Sequence, residues 1–293
     1  MMLIKCIVIG NQGSFFTTAC NSLSTQGFSV DAIEINKYDF DFELLVNSVL
    51  KLVSIKNCFS LIYLGGEVKI ETFMQTFNFD IPKSLALICK IHSVRFVYLS
   101  SLAALGEHLT GPVLISDRNS INLDVYAKTK QNFDLFVSSD SVLRLLCCGV
   151  YPASIVGKSH ENSSLQQVIR LFKNFKILRY LNIKTYISFC HRDDIVCAII
   201  FCLRSPYCMN IIVAENATFS DISREVFKTE RFIPLPSFVD LVYFLRPFFS
   251  LRYRIIIRRV FNEAIYVNNS DITLYFNFPS VRTRAIFSNL VVD

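Results

Sequence analysis

A buried strand that runs directly into a glycine turn opens the chain and restricts its fold more than any other feature. Leu3 to Ile9 is a continuous apolar run of β-forming residues, which is typical of a parallel strand covered on both faces. Gly10-Asn11-Gln12-Gly13 follows as a turn, and the pattern then predicts a helix over Ser14 to Thr25 and a strand over Phe28 to Ile35. Glu34 stands 21 positions after Gly13. This βαβ spacing is that of a dinucleotide-binding fold, in which the acid meets a ribose 2′-hydroxyl.

The same alternation continues and predicts a parallel sheet. Further strands are predicted over Ser60 to Leu64, Arg95 to Leu99 and Val142 to Cys148. Further helices are predicted over Phe42 to Val53, Ile81 to His92 and Tyr126 to Ser138. Strands that alternate with helices require right-handed crossovers, so we expect an α/β fold with a Rossmann-like, doubly wound parallel sheet.

After Tyr151 the pattern changes, and we expect a smaller α/β lobe. We therefore divide the chain into residues 1–150, a dinucleotide-binding domain, and residues 151–293, a substrate-binding lobe interleaved with late strands of the first domain. Asp193 and Asp194 fit the N-terminus of a helix better than a catalytic role. The later elements are strands over Thr185 to Phe189 and Asn210 to Val213, and helices over Arg192 to Leu203 and Phe219 to Lys228, the last capped by Ser220 or Asp221.

Composition excludes several classes of protein. The 293 residues are 52% hydrophobic and 18% charged, with a net charge of +6 and no dense basic run, which argues against disorder and against nucleic-acid binding. The ten cysteines include no CxxC pair and lie in apolar runs, as expected in the reducing cytoplasm, and the four histidines show no metal spacing. Arginines interrupt the apolar run from Phe238 to Val260, so a membrane span is not expected and a membrane-surface helix is the less favoured alternative.

Tyr126 and Lys130 are one helical turn apart and would share a helix face. A phenol has an unperturbed pKa of about 10, but an ammonium about 4 Å away would favour the phenolate by roughly 4 kcal/mol at an effective dielectric of about 20. The pKa of Tyr126 could then fall by roughly three units, which would make it a proton shuttle near pH 7. The alternative is a surface helix that carries one tyrosine and two lysines.

Taken in order, several segments resemble the extended short-chain dehydrogenase/reductase superfamily, and most closely its NAD-dependent epimerase/dehydratase branch acting on nucleotide sugars. Gly10 and Gly13 match the first two fingerprint glycines, Leu64-Gly65-Gly66 follows the strand beside the cofactor, and Asn78 matches a family asparagine. Ser101 takes the place of the family serine, and Tyr126 follows 25 residues later. The segment from Ser188 to Asp194 is similar to a signature written His-x-Asp-Asp.

The resemblance implies an enzyme whose catalytic residues are Ser101, Tyr126 and Lys130. Tyr126 would exchange a proton with a sugar hydroxyl or ketone, Lys130 would lower its pKa and bind the nicotinamide ribose, and Ser101 would donate to the same substrate oxygen. Epimerisation or 4-keto reduction of a nucleotide sugar for polysaccharide synthesis would follow, and a homodimer is left open. The residues expected to bind NAD are Gly10, Gly13, Glu34, Leu64, Gly65 and Lys130.

Two residues depart from the family pattern. Phe16 stands where the third fingerprint glycine allows the helix to approach the strand, so its ring must push the helix outwards or enter the cofactor space. Gly65 stands where the family more often has alanine. The alternative function is therefore a catalytically degenerate relative that binds NAD(P) as a regulatory or scaffold protein.

Overall fold

A computed structural model describes residues 4–56, 58–106, 108, 112–120, 123–156, 169–170, 172–180, 182, 186–232 and 265–266. The chain divides into two compact units. The first unit comprises Met1–Glu107, Ile115–Pro152 and Arg192–Val213, and the second comprises His108–Leu114, Ala153–His191 and Ala214–Asp293.

A six-stranded sheet in which every pair of neighbours is parallel forms the centre of the first unit, in the order β2-β1-β3-β4-β6-β9. β2 lies on one side of β1 and β3 lies on the other, so the strand order reverses between β1 and β3. In such sheets this reversal marks a crevice at the carboxyl ends of the strands. The strands are β1 (Ile4–Asn11), β2 (Phe28–Ile35), β3 (Ser60–Tyr63), β4 (Arg95–Leu99), β6 (Cys147–Pro152) and β9 (Ile211–Val213).

Helices cover the sheet because its strands carry apolar side chains towards both faces. One face packs with α2, α4, α5 and α6 around a core that includes Ile7, Leu61 and Phe96. The helices α1 and α7 pack against each other, and α7 also contacts β4 and β6. The helices of this unit are α1 (Ser14–Thr25), α2 (Phe42–Lys56), α3 (Glu71–Gln75), α4 (Ile81–His92), α5 (Val125–Ser139), α6 (Ser141–Leu146) and α7 (Arg192–Arg204), with a π-helical turn (Thr76–Asp80) that joins α3 to α4.

The second unit contains short sheets. Its three-stranded sheet has the order β10-β8-β7, in which β8 pairs antiparallel with β10 and parallel with β7, and β5 pairs with β11 in a two-stranded ladder. The elements are β5 (Pro112–Val113), β7 (Ser154–Val156), β8 (Tyr186–His191), β10 (Glu215–Thr218), β11 (Ile265–Tyr266) and a helix, α8 (Phe219–Phe227).

The predicted α/β fold is confirmed, and two local predictions are wrong. The apolar run from Val142 to Cys148 does not form one strand, because Asp140 accepts hydrogen bonds from the backbone N–H groups of Val142 and Leu143 and starts α6. The strand begins only at Cys147. The cap of α8 is Thr218, which exchanges hydrogen bonds with Asp221 in a capping box.

Within the described residues, no helix is long and apolar enough to cross a membrane. The run from Phe238 to Val260, which the sequence leaves open as a membrane-surface helix, lies outside them. All ten cysteines lie inside them, and none forms a disulfide.

Candidate active site

The turn between β1 and α1 leaves room for a ligand. Gly13 has φ 156° and ψ 173°, a backbone conformation that is essentially restricted to glycine. No described atom lies within 4 Å of a Cβ placed on Gly13, so the space beside it is open. The α1 helix starts there with no side-chain cap and no acidic residue in its first turn. Its backbone N–H groups can therefore donate hydrogen bonds to an anionic group such as a phosphate.

Asn11 links the loops that follow β1 and β3, where the strand order reverses. Its side-chain amide donates to the carbonyl oxygen of Gly66 over 2.7 Å. Its Oδ1 atom is buried and has no hydrogen-bond partner among the described residues. An orphaned acceptor is costly to bury, so this position suits a ligand that supplies a hydroxyl or N–H donor.

Phe16, which stands in place of the third fingerprint glycine, is buried in the structure. Its side chain is 4% exposed, and the ring lies against Gly10. Gly10 provides the room, since a Cβ on Gly10 would lie 2.7 Å from Phe16 Cδ2. The ring is thus part of the buried core, and the space beside Gly13 stays open.

Gly65 stands where the family that this sequence resembles more often has alanine. A steric conflict explains why alanine does not fit here. A Cβ at this position would lie 2.5 Å from the Cζ and Oη atoms of Tyr63, whose ring passes directly beneath. The Tyr63 hydroxyl donates to the Phe77 carbonyl oxygen over 2.7 Å, which fixes the ring. Any side chain on Gly65 would therefore displace a buried, hydrogen-bonded tyrosine.

Lys130 points from α5 to the carboxyl ends of β3 and β4. Its ammonium donates to the Leu99 carbonyl oxygen over 2.7 Å and is only 3.2 Å from a Cβ placed on Gly66. The residue is 5% exposed, and burial lowers its pKa to about 8, with the Asp134 carboxylate acting in the opposite direction. An ammonium has three N–H donors, and only one is used among the described residues. The other two are available to a ligand.

Ser101 and Tyr126 are brought together beside this lysine. Ser101 follows β4, where its Oγ accepts from the Ala103 backbone N–H and caps a short 3-10 helix. The Tyr126 phenol is partly buried, and burial raises its pKa, while a side-chain hydrogen bond with Ser101 lowers it and the carboxylates of Asp124 and Asp134 raise it. The direction is opposite to the one predicted from the Tyr126–Lys130 spacing. The phenol is therefore protonated at neutral pH.

Asp134, which belongs to none of the motifs in the sequence, is the centre of a buried polar cluster. Asp134 accepts hydrogen bonds from Tyr98 over 3.0 Å and Ser100 over 2.9 Å, and it lies 3.4 Å from the Arg118 guanidinium. Arg118 also donates to the Tyr151 hydroxyl over 3.2 Å. A signal was present, because Tyr126, Lys130 and Asp134 repeat every four residues on one face of α5.

Asn78, in the π-helical turn, fixes the loop after β3 to α5. Its fully buried amide donates to the Glu67 carbonyl oxygen over 2.9 Å and to the Thr129 hydroxyl over 3.2 Å, and it accepts from the Glu67 N–H over 3.0 Å. Thr129 precedes Lys130. Asn78 therefore fixes the position of Lys130 relative to the loop after β3.

These residues fit a dinucleotide. An open glycine turn, an uncapped helix N-terminus and an orphaned acceptor at Asn11 lie on β1 and the turn after it. Glu34, on β2, is paired in register with Gly10 and is exposed. Leu64 and Gly65 follow β3, and Lys130 retains two N–H donors. By contrast, no group of His, Cys, Asp or Glu within the described part of the chain could hold a metal ion.

The fold is shared with solved structures of three bacterial enzymes. The dTDP-4-dehydrorhamnose reductase of Yersinia enterocolitica matches with a TM-score of 0.63 and 12% identity, over 98% of each chain. The ADP-L-glycero-D-manno-heptose-6-epimerase of Helicobacter pylori matches with a TM-score of 0.60 and 14% identity, over 79% of this chain and 85% of that chain. The enzyme WbmG of Bordetella bronchiseptica, in complex with NAD, matches with a TM-score of 0.59 and 13% identity, over 80% and 82%.

No protein-family model matches this chain, and no curated protein matches it in sequence. The structural likeness establishes the fold alone, which is the α/β, Rossmann-like parallel sheet predicted from the sequence.

Proposed function

We propose that the protein is an NAD-dependent epimerase or 4-keto reductase of nucleotide sugars. One observation carries the proposal: the buried Lys130 ammonium donates to the Leu99 carbonyl oxygen, two residues before Ser101, and Tyr126 lies one turn before Lys130 on α5. The fold of a known reductase and a known epimerase supports the same class of reaction.

The protonation states suit the reduction of a ketone, a step that an epimerase and a 4-keto reductase share. Tyr126 is a protonated phenol and would donate its proton to the oxygen of a sugar ketone. Ser101 would donate a hydrogen bond to the same oxygen as negative charge develops on it. Bound NAD(H) would supply or accept the hydride at its nicotinamide.

Lys130 would act on both the cofactor and the tyrosine. Its two unused N–H donors would bind the ribose hydroxyls next to the nicotinamide. Its positive charge would stabilise the Tyr126 phenolate that forms when the proton leaves. The Asp134 carboxylate raises the pKa of Lys130 and so helps to keep this buried amine charged.

Glu34 makes NAD the favoured dinucleotide. The residue is exposed on β2, where an acid binds a ribose 2′-hydroxyl and repels a 2′-phosphate. Solved structures of this fold include complexes with NAD and with NADP, so the choice rests on Glu34. We also propose that residues 151–293 include the nucleotide-sugar-binding lobe, as the family resemblance implies.

The test combines a cofactor measurement with turnover. The absorbance and mass spectrum of the purified protein should reveal bound NAD, and a panel of UDP-, dTDP-, GDP- and ADP-sugars should reveal a substrate. Tyr126→Phe should then lower turnover at least about a hundredfold without changing NAD affinity or the melting temperature. Tyr207→Phe, at a tyrosine that is 76% exposed, is the matched control and should leave the rate unchanged.

Two outcomes would contradict parts of this proposal. An unchanged rate in Tyr126→Phe would remove that residue from the mechanism. Binding of NAD without turnover of any sugar nucleotide would favour the alternative, a degenerate relative with a regulatory or scaffold role.

A further inference from the structure

An ion pair joins the segments that follow β2 and β3. Lys37 stands three residues after Glu34, and its ammonium lies 2.8 Å from Oε2 of Glu67. Glu67 follows Gly66 directly, and its side chain is 5% exposed. The pair therefore lies close to the residue that is proposed to bind the adenosine ribose.

The Glu67 carboxylate is held in place from both sides. Its Oε1 atom accepts from the backbone N–H groups of Val68, Lys69 and Ile70 at 2.9, 2.7 and 3.2 Å. Its Oε2 atom is left for Lys37. Burial would raise the pKa of Glu67, but the hydrogen bonds from Lys37 and from the backbone outweigh burial and lower it. The carboxylate is thus ionised at neutral pH and cannot turn away from Lys37 without losing backbone hydrogen bonds.

A cation at this position matters because the two nicotinamide dinucleotides differ by one phosphate on the adenosine ribose. Proteins that accept NADP place a basic side chain near that phosphate, whereas those that use NAD place an acid on the 2′-hydroxyl. This chain has both types of residue on one segment, since Glu34 lies in β2 and Lys37 follows that strand. Glu67 already neutralises the basic one.

We propose that Glu67 sets the preference for NAD over NADP by keeping Lys37 in an ion pair. This inference rests on the proposed function, since it assumes that the crevice binds a dinucleotide. Glu34 repels the 2′-phosphate, and Glu67 keeps the nearby ammonium from offsetting that repulsion. The two carboxylates therefore act together, and Lys37 contributes little to the binding of either dinucleotide.

The experiment measures the dissociation constants of NAD⁺ and NADP⁺ by calorimetry for the whole protein and its variants. In Glu67→Gln the amide oxygen can still accept from the backbone, but Lys37 is released. NADP⁺ should bind about tenfold more tightly, the size expected when one charge-assisted hydrogen bond becomes available, and NAD⁺ should change less than about threefold. Glu67→Gln combined with Lys37→Ala should lose the gain. Glu71→Gln, at an exposed carboxylate of α3, is the control and should change neither constant.

Lys37→Ala alone provides a second test that leaves Glu67 in place. We expect both dissociation constants to change less than about threefold, because the ammonium is already engaged. Tenfold weaker NADP⁺ binding in Lys37→Ala, or an unchanged preference in a folded Glu67→Gln variant, would overturn the inference while NAD⁺ still binds. If neither dinucleotide binds the unmodified protein, the proposed function fails first and this inference fails with it.

Discussion

The ring of Phe16 lies against the α-carbon of Gly10, in space that a side chain on Gly10 would occupy. A Cβ on Gly10 would lie 2.7 Å from Phe16 Cδ2 and 3.1 Å from the Leu64 Cβ. The first fingerprint glycine thus accommodates the aromatic ring that replaces the third. Phe16, which departs from the cofactor motif, therefore fits into the packing between β1 and α1.

This relationship predicts that the two positions are coupled in stability. Gly10→Ala should destabilise the protein by roughly 1–3 kcal/mol through overpacking, and Phe16→Ala by roughly 3–5 kcal/mol through the loss of a buried ring. In the double variant the alanine at position 10 should cost much less than it does alone, because the ring that it meets is gone. Urea unfolding of the four proteins measures the coupling. If the changes in the free energy of unfolding of the two single variants simply add in the double variant, the contact between Phe16 and Gly10 is not tight.

Removal of the Phe16 ring should affect stability and NAD⁺ affinity differently. Phe16→Ala should change NAD⁺ affinity by less than about threefold, because the ring is buried against Gly10 and does not lie within 4 Å of a Cβ placed on Gly13. Phe59→Ala, at a phenylalanine that is 47% exposed, is the control for the loss of an aromatic ring and should cost much less stability. A large gain in NAD⁺ affinity on removal of Phe16 would place the ring in the binding space.

Much of the fold could be predicted because the sheet is parallel and buried. Its strands are short apolar runs and its helices have apolar faces, and the predicted bounds of α1, β2, α4 and β4 coincide with the observed ones. The strand over Val142 to Cys148 failed for a local reason. An apolar run of that length fits a strand or a buried helical turn equally well, and only the Asp140 cap decides between them.

The candidate site was less predictable, since its chemistry depends on burial and on residues distant in sequence. The spacing of Tyr126 and Lys130 indicates that they share a helix face, but it does not show that burial raises the pKa of the phenol. Glu67 and Arg118 carry no motif, and their roles arise only when the sheet brings Lys37 and Asp134 to them. The Ser101, Tyr126 and Lys130 site remains a prediction for experiment.

Asp134→Asn is predicted to change both stability and the pH dependence of turnover. The substitution leaves the partly buried Arg118 guanidinium without a charged partner, which should cost roughly 1–3 kcal/mol. The Asp134 carboxylate raises the pKa of Lys130, so its removal should move that pKa further below about 8. If turnover requires the charged amine, the decline in rate at high pH should then start at a lower pH than in the unmodified protein.

A pH–rate profile of the two proteins measures this shift, with the melting temperature recorded at each pH. Asp39→Asn, at an exposed carboxylate, is the control and should leave the profile unchanged. An identical profile in a folded Asp134→Asn variant would mean that Asp134 supports the fold without influencing Lys130.

Lys130 should itself oppose folding at neutral pH. Burial lowers its pKa to about 8, whereas an unfolded lysine titrates near 10.5. Between these two values the unfolded chain binds more protons than the folded one, so the stability of the protein rises with pH across that window. Below pH 8 the full cost of the buried charge is present, and it corresponds to about 3 kcal/mol.

Lys130→Met should therefore stabilise the protein at pH 7 while it abolishes turnover. We expect a gain of roughly 2 kcal/mol, because the loss of the hydrogen bond to Leu99 offsets part of the relief from burying a charge. The gain should shrink as the pH rises from 8 and should be absent above 10.5, where the lysine is neutral in both states. Urea unfolding at pH 7 and pH 10 measures the difference, with Lys128→Met, at an exposed lysine on the same helix, as the control. A gain that is independent of pH would mean that methionine packs better and that the buried charge costs little.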